Sequence, residues 1–165
     1  MAYAICNLDR MSGTEDSSQL LSVRFYDDTD TEAAIENASI VKVEGFLDGQ
    51  REVRKAVTPD GTEKISQLAL IANPEVIYDE STYHGLEDYI NVAGKNVRAY
   101  RFHDNNGFSA TAEAFSGVPA KGKYVTVGAT TKMVASDSDT GTVIGVIDEV
   151  WTLGSDTYYY VQVSI

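Results

Sequence analysis

Phe108-Ser109-Ala110-Thr111-Ala112-Glu113-Ala114 alternates apolar with polar residues along its length. Successive side chains of an extended chain point to opposite faces, so Phe108, Ala110, Ala112 and Ala114 share one face while Ser109, Thr111 and Glu113 take the other. The stretch reads as a half-buried strand. The same period governs the final residues, where Tyr159, Val161, Val163 and Ile165 lie opposite Tyr158, Tyr160, Gln162 and Ser164. The end of the chain is therefore expected inside a sheet.

Outward from these two runs, alternation predicts strands over 20–26, 39–45, 51–57, 67–72, 75–78, 97–103, 123–127, 132–135 and 143–151. Asp48-Gly49 suits a hairpin turn, and Pro59-Asp60-Gly61 and Asn73-Pro74 mark further breaks. Leu86, Tyr89, Ile90 and Ala93 fall at helical spacing before Gly94, which predicts one short helix of two to three turns near 85–94. Thr29 and Glu32 fit a capping box opening a helical turn through Ala33, Ala34 and Ile35. Residues 1–19 are rich in turn formers and read as a flexible N-terminal arm or loop. The fold class is mainly β: a compact β-barrel or sandwich-like domain over 20–165, with two small β lobes, about 20–95 and 96–165, as the other division. Its core is drawn from Val23, Phe25, Val41, Val43, Val97, Phe108, Val125, Ile144, Val146, Trp151, Val161 and Val163.

Composition narrows the function. The chain has 165 residues, 43% hydrophobic, with no apolar run of the ~18 residues that a membrane helix needs, so no membrane partner is expected. The N-terminus lacks a basic region followed by a long apolar stretch, which argues against a secretory signal and for synthesis in a host cytoplasm. Cys6 is the one cysteine, so no internal disulfide and no multi-cysteine metal site can form. A net charge of -12 argues against direct nucleic-acid binding, which depends on clustered Lys and Arg.

The chemistry-bearing residues have structural readings of equal or greater weight. Asp27, Asp28, Asp30 and Glu32 offer oxygen ligands to calcium but lack the spacing and turn glycine of an EF-hand, and a helix N-terminus also draws acids. Asp137-Ser138-Asp139-Thr140-Gly141 reads as a hairpin loop. His84 and His103 stand without a nucleophile motif. Gly94-Lys95 and Gly122-Lys123 lack the glycine spacing of a phosphate loop. Ten tyrosines, densest at Tyr158-Tyr159-Tyr160, suit strands as well as a sugar-stacking groove. No catalytic, cofactor-binding or metal-ligating residue is assigned, and no cofactor is expected.

Five stretches carry a resemblance: Ile5-Cys6-Asn7-Leu8-Asp9-Arg10, Ser18-Gln19-Leu20-Leu21-Ser22-Val23, Gly49-Gln50-Arg51-Glu52-Val53-Arg54-Lys55-Ala56, Pro74-Glu75-Val76-Ile77-Tyr78-Asp79-Glu80 and Phe108-Ser109-Ala110-Thr111-Ala112-Glu113-Ala114-Phe115. In these the chain resembles small capsid decoration (head cement or auxiliary) proteins of tailed bacteriophages of Gram-positive hosts. The resemblance implies a non-enzymatic virion protein on the capsid exterior, with the major capsid protein as its partner. The ending, Gly122-Lys123-Tyr124-Val125, a hairpin, Ile144-Gly145-Val146-Ile147 and a closing strand, is similar to β-rich decoration proteins generally. Those of the lambda type are trimers, smaller than this chain, so the resemblance implies a homo-oligomer, a trimer first. The polar start and the abrupt apolar strand after it suggest residues 1–26 as the capsid-contacting element, with Tyr3, Ile5, Leu8, Arg10, Leu20 and Leu21 as contact residues. The alternatives are a carbohydrate- or receptor-binding module presenting Tyr158 or Tyr160, a carboxylate hydrolase, and another virion part such as a head fibre base, tail-tube subunit or connector.

Overall fold

Leu68-Ala69-Leu70-Ile71 is apolar at every position and buried at every position. A strand of this kind needs cover on both faces. Its surroundings supply that cover in a computed structural model describing residues 2–76, 81 and 85–165.

Five strands close into a barrel: β1 (Leu20–Tyr26), β2 (Ile40–Phe46), β3 (Val53–Val57), β4 (Leu68–Ile71) and β5 (Val97–Arg101). Their order around it is β1-β3-β2-β4-β5. β1 closes the ring by pairing parallel with β3 and antiparallel with β5. Asp48-Gly49 does turn the β2–β3 hairpin, with Gly49 at φ 74°, a conformation that costs glycine little. Val23, Phe25, Val41, Ala56, Ala69, Ile71, Val97 and Ala99 fill the barrel. Three of these eight are alanine, as a narrow five-stranded barrel demands.

Six further strands form a second sheet: β6 (Gly107–Thr111), β7 (Phe115–Ser116), β8 (Tyr124–Val127), β9 (Met133–Ser136), β10 (Val143–Leu153) and β11 (Asp156–Val163). They run in the order β6-β11-β10-β8-β9-β7. This sheet lies against the outside of the barrel wall made by β2, β4 and β5. Ile40, Leu68, Leu70 and Tyr100 from that wall share one core with Phe108, Val125, Met133, Ile144, Ile147 and Val161. Thus β4 sends Leu68 and Leu70 into the shared core and Ala69 and Ile71 into the barrel. The opposite barrel wall faces solvent with Arg24, Tyr26 and Lys55.

Several local expectations are corrected. Over 85–94 a single 3-10 turn, Leu86–Asp88, replaces a helix of two to three turns. The chain is captured just beyond it, where Ile35 and Asn91 exchange two main-chain hydrogen bonds at 2.9 and 3.0 Å. So short a helix gains too little to compete with that pairing. The turn at 29–35 is also not helical: Tyr26 bridges to Glu32, and the Asp27 carboxylate accepts from the main chain of Thr29 and Thr31.

The run 108–114 leaves the strand at Thr111 and passes through a 3-10 turn, Ala112–Ala114. In β10 a bulge between Ile147 and Glu149 breaks the alternation, and Ile147 rather than Val146 is buried. Val43 and Trp151 are likewise only partly buried. Because β8 lies between β9 and β10, the loop over 137–142 crosses a strand instead of turning a hairpin. β11 ends at Val163, and Ile165 is exposed. The strand expected over 75–78 falls partly outside the described residues.

The shared core yields a thermodynamic expectation. Leu70→Ala should lower the unfolding free energy by about 2–5 kcal/mol. Trp151, the one tryptophan, sits on the second sheet and reports that sheet by fluorescence. In urea titrations its transition should shift together with the far-ultraviolet circular dichroism; an unshifted Trp151 transition would contradict a common core.

Candidate functional site

The N-terminal segment does not hang free as an arm. Ala4, Ile5 and Cys6 are buried, and Cys6 bridges antiparallel to Ala110 at the outer edge of β6. The N–H of Asn7 donates to the Ser109 carbonyl at 2.9 Å, and that of Thr111 to the Ile5 carbonyl at 3.1 Å. A sheet edge leaves a row of main-chain groups unpaired, and here the chain's own first residues pair with it. The Ala4 N–H donates to Glu36 on the barrel side at 3.0 Å, and the Tyr3 N–H to the Glu87 carbonyl at 2.8 Å.

This docking builds a layered site on the sheet face away from the core. Trp151 stacks on Tyr158 with ring centroids 4.7 Å apart, and the Arg10 guanidinium lies 4.4 Å from the indole centroid. The Trp151 Nε1–H donates to the Ser109 hydroxyl at 3.3 Å. Tyr158 is only 3% exposed, so it cannot offer a ring face to a sugar. Burial, and then Asp156, raise its phenol above the ordinary range. Burial and the nearby Glu75 push the Cys6 thiol up to about 12, which leaves it protonated and unreactive at neutral pH.

Glu75 stands where the N-terminal segment meets the mouth of the barrel. Its Oε1 accepts from the Asn37 side chain at 3.0 Å. Asn37 also donates to the Asn73 carbonyl, and its own side-chain oxygen accepts from Asn91 at 3.0 Å and from the Asn73 N–H at 3.1 Å. Tyr89 bonds both Asn91 and Asn73 through its hydroxyl. This mesh joins three crossing segments, which buried polar groups do at low cost only when each is satisfied. Among the described residues no buried side-chain nitrogen or oxygen lacks a partner. The groups that resemble a polar site are occupied in holding the fold.

The acidic loops are similarly engaged. Asp27 is held below the ordinary carboxylate range by hydrogen bonds from Thr29 and Thr31. Asp30 pairs with Lys55 and Glu32 with Arg24. Asp60 is likewise lowered by Thr62, while buried Glu63 accepts from the Asp60 and Gly61 N–H groups and faces Lys42 at 3.7 Å. Among the described residues no three His, Cys, Asp or Glu side chains cluster as metal ligands would. An open cleft of about 470 Å³ has Asp27, Asp28 and Glu36 on its wall, with Ser39 and Thr130. Two of those acids are spent on local hydrogen bonds, to Thr29 and Thr31 in one case and to Ala4 in the other. His103 is exposed; His84 lies outside the described residues.

The six expected contact residues are separated by this arrangement. Arg10 is exposed, Tyr3 and Leu8 are partly exposed, and Ile5 is buried. Leu20 and Leu21, on β1, are partly buried and pack against the shared core and the barrel core respectively. Sequence reasoning missed the Trp151–Tyr158 stack and the asparagine mesh, since neither follows a local period. The chain matches no protein-family model, no curated protein and no solved structure.

Glu75 gives this site a pH signature. Burial raises its carboxyl above the ordinary value, outweighing the Asn37 hydrogen bond, and Asp9 adds to the rise. The folded state therefore holds its proton to higher pH than the unfolded chain. The contribution is full below the ordinary glutamate value and is lost as pH rises through the raised one. Urea titrations of the wild type and Glu75→Gln across this window should show the wild type losing stability relative to the variant. A constant difference would rule out the assignment.

Proposed function

We propose that the chain is a non-enzymatic virion structural protein, a decoration or cement protein that binds the outer surface of a phage capsid and reinforces contacts between capsomers. The observation that carries this reading is the five-stretch resemblance, which spans most of the sequence from Ile5 to Phe115. A net charge of -12 supports an outward-facing position, since a surface against packaged DNA favours cations. The use of Glu36, Glu75, Tyr89, Asn91, Tyr158 and the loop acids as internal fasteners supports a role that depends on shape and surface. The partner is the major capsid protein.

The contact surface on this reading is the outer side of the docked N-terminal segment, where Tyr3, Leu8 and Arg10 retain exposure. Deleting residues 1–19 is a poor test, because it strips buried Ala4, Ile5 and Cys6 from the β6 edge. Substitution of Arg10 is milder, since an exposed cation over an aromatic ring contributes only about 0.5–1 kcal/mol.

The deciding experiment is co-sedimentation with DNA-filled and empty heads assembled without this component. Saturable binding at a fixed ratio to the major capsid subunit is expected, weakened by Arg10→Glu. Absence of binding to both head forms would overturn the proposal.

A further inference from the structure

β10 is the longest strand, and its outer edge is only half covered. β8 pairs with it from Val143 to Val146, and Ile147 exchanges main-chain hydrogen bonds with Gly122 and Lys123. From Asp148 to Leu153 no described strand lies along that edge, while β11 continues on the other side to the tip. The tip is a two-residue turn, Gly154-Ser155, with Leu153 opposite Asp156 and Gly154 at φ 62°. In a hairpin of this length the pair flanking the turn is hydrogen-bonded and the pairs then alternate. Val150 and Thr152 therefore turn their N–H and C=O groups outward.

Natural edges are shielded by lysine, proline, bulges or charge. Here the bulge and the two acids, Asp148 and Glu149, shield one end only. The stretch Val150-Trp151-Thr152-Leu153-Gly154-Ser155 is uncharged, and Val150 is 40% and Leu153 58% exposed. In a chain of net charge -12, an uncharged open edge is where a second copy approaches against the least repulsion.

Charge and space together select a register. With Val150 of one copy opposite Thr152 of the other, Asp148 meets Gly154 and Glu149 meets Leu153, so no like charges face each other. Moving the copies apart, so that Thr152 faces Thr152, would set the outward groups of Val150 against the turn at Gly154, where no strand continues to pair with them. Sliding them together, so that Val150 faces Val150, would drive the second tip further into the position that Gly122 and Lys123 hold beside Ile147. Only the intermediate register satisfies the outward-facing groups without either conflict, with roughly four main-chain hydrogen bonds across a two-fold axis.

We infer that the chain self-associates through antiparallel pairing of β10, from Val150 to Thr152, with the same edge of a second copy, joining two six-stranded sheets. The inference does not depend on capsid binding, and its test contains no heads. The contact is small, so association in solution is weak and strengthens where copies are held close together.

Sedimentation velocity of the full chain, from micromolar to millimolar concentration, should show a monomer–dimer equilibrium. Because the monomers repel one another, the dimer fraction should rise between about 0.05 and 0.5 M salt. Val150→Asp, at a partly exposed edge position, should weaken association roughly tenfold with circular dichroism unchanged. A second variant guards against misfolding: oxidised Val150→Cys/Thr152→Cys should link two copies, since opposed residues lie within disulfide reach and buried Cys6 does not compete. A monomer at every concentration and salt overturns the inference. So does association indifferent to Val150→Asp, or cross-linking of either single variant as readily as of the double one.

Discussion

Everything in this molecule is arranged around a four-residue strand that needs apolar neighbours on both sides. Leu68 and Leu70 point one way and Ala69 and Ile71 the other, and each side requires its own core. The second sheet supplies the first and the barrel interior the second. Each fully buried side chain of this size is worth about 1.5–3 kcal/mol, so neither core can be given up cheaply. The two β units are consequently coupled through a shared wall, and a loop contact adds to it: the Thr142 hydroxyl donates to the Glu63 carbonyl at 2.8 Å.

Alternation exposed much of this plan and concealed specific parts of it. β1 is read from the sequence residue for residue, because Val23 and Phe25 face a core while Ser22 and Arg24 do not. β4 is recognisable as a strand, but an unbroken apolar run does not say which residues face which core. At Ile147 the bulge moves burial by one residue, a change that no period-2 pattern can announce. The pairing of β1 with β3, which closes the barrel, joins segments whose proximity no local pattern encodes.

The site was less legible than the fold. Ala4, Ile5 and Cys6 looked like the start of a loose arm because three apolar residues set no period. Their burial depends on an open β6 edge about a hundred positions away. Alternation places Tyr158 on the polar face of β11, and it is on that face, yet it is buried there beneath Trp151. Asn37, Asn73 and Asn91 each look like a loop asparagine in isolation. Only the crossing of their three segments makes them a mesh.

The bridge between Cys6 and Ala110 also sets a timetable for synthesis. The segment around Cys6 leaves the ribosome ahead of β6, and the strand that receives it follows 104 residues later, the interval from position 6 to position 110. At about 5–20 residues per second, that interval lasts roughly 5–20 seconds. Through it the main-chain groups of Ile5 and Asn7 lack their β6 partners while β1 to β5 emerge. Docking of Cys6 on β6 thus waits for a strand made much later, and it seals an edge that would otherwise be open to the next chain emerging beside it.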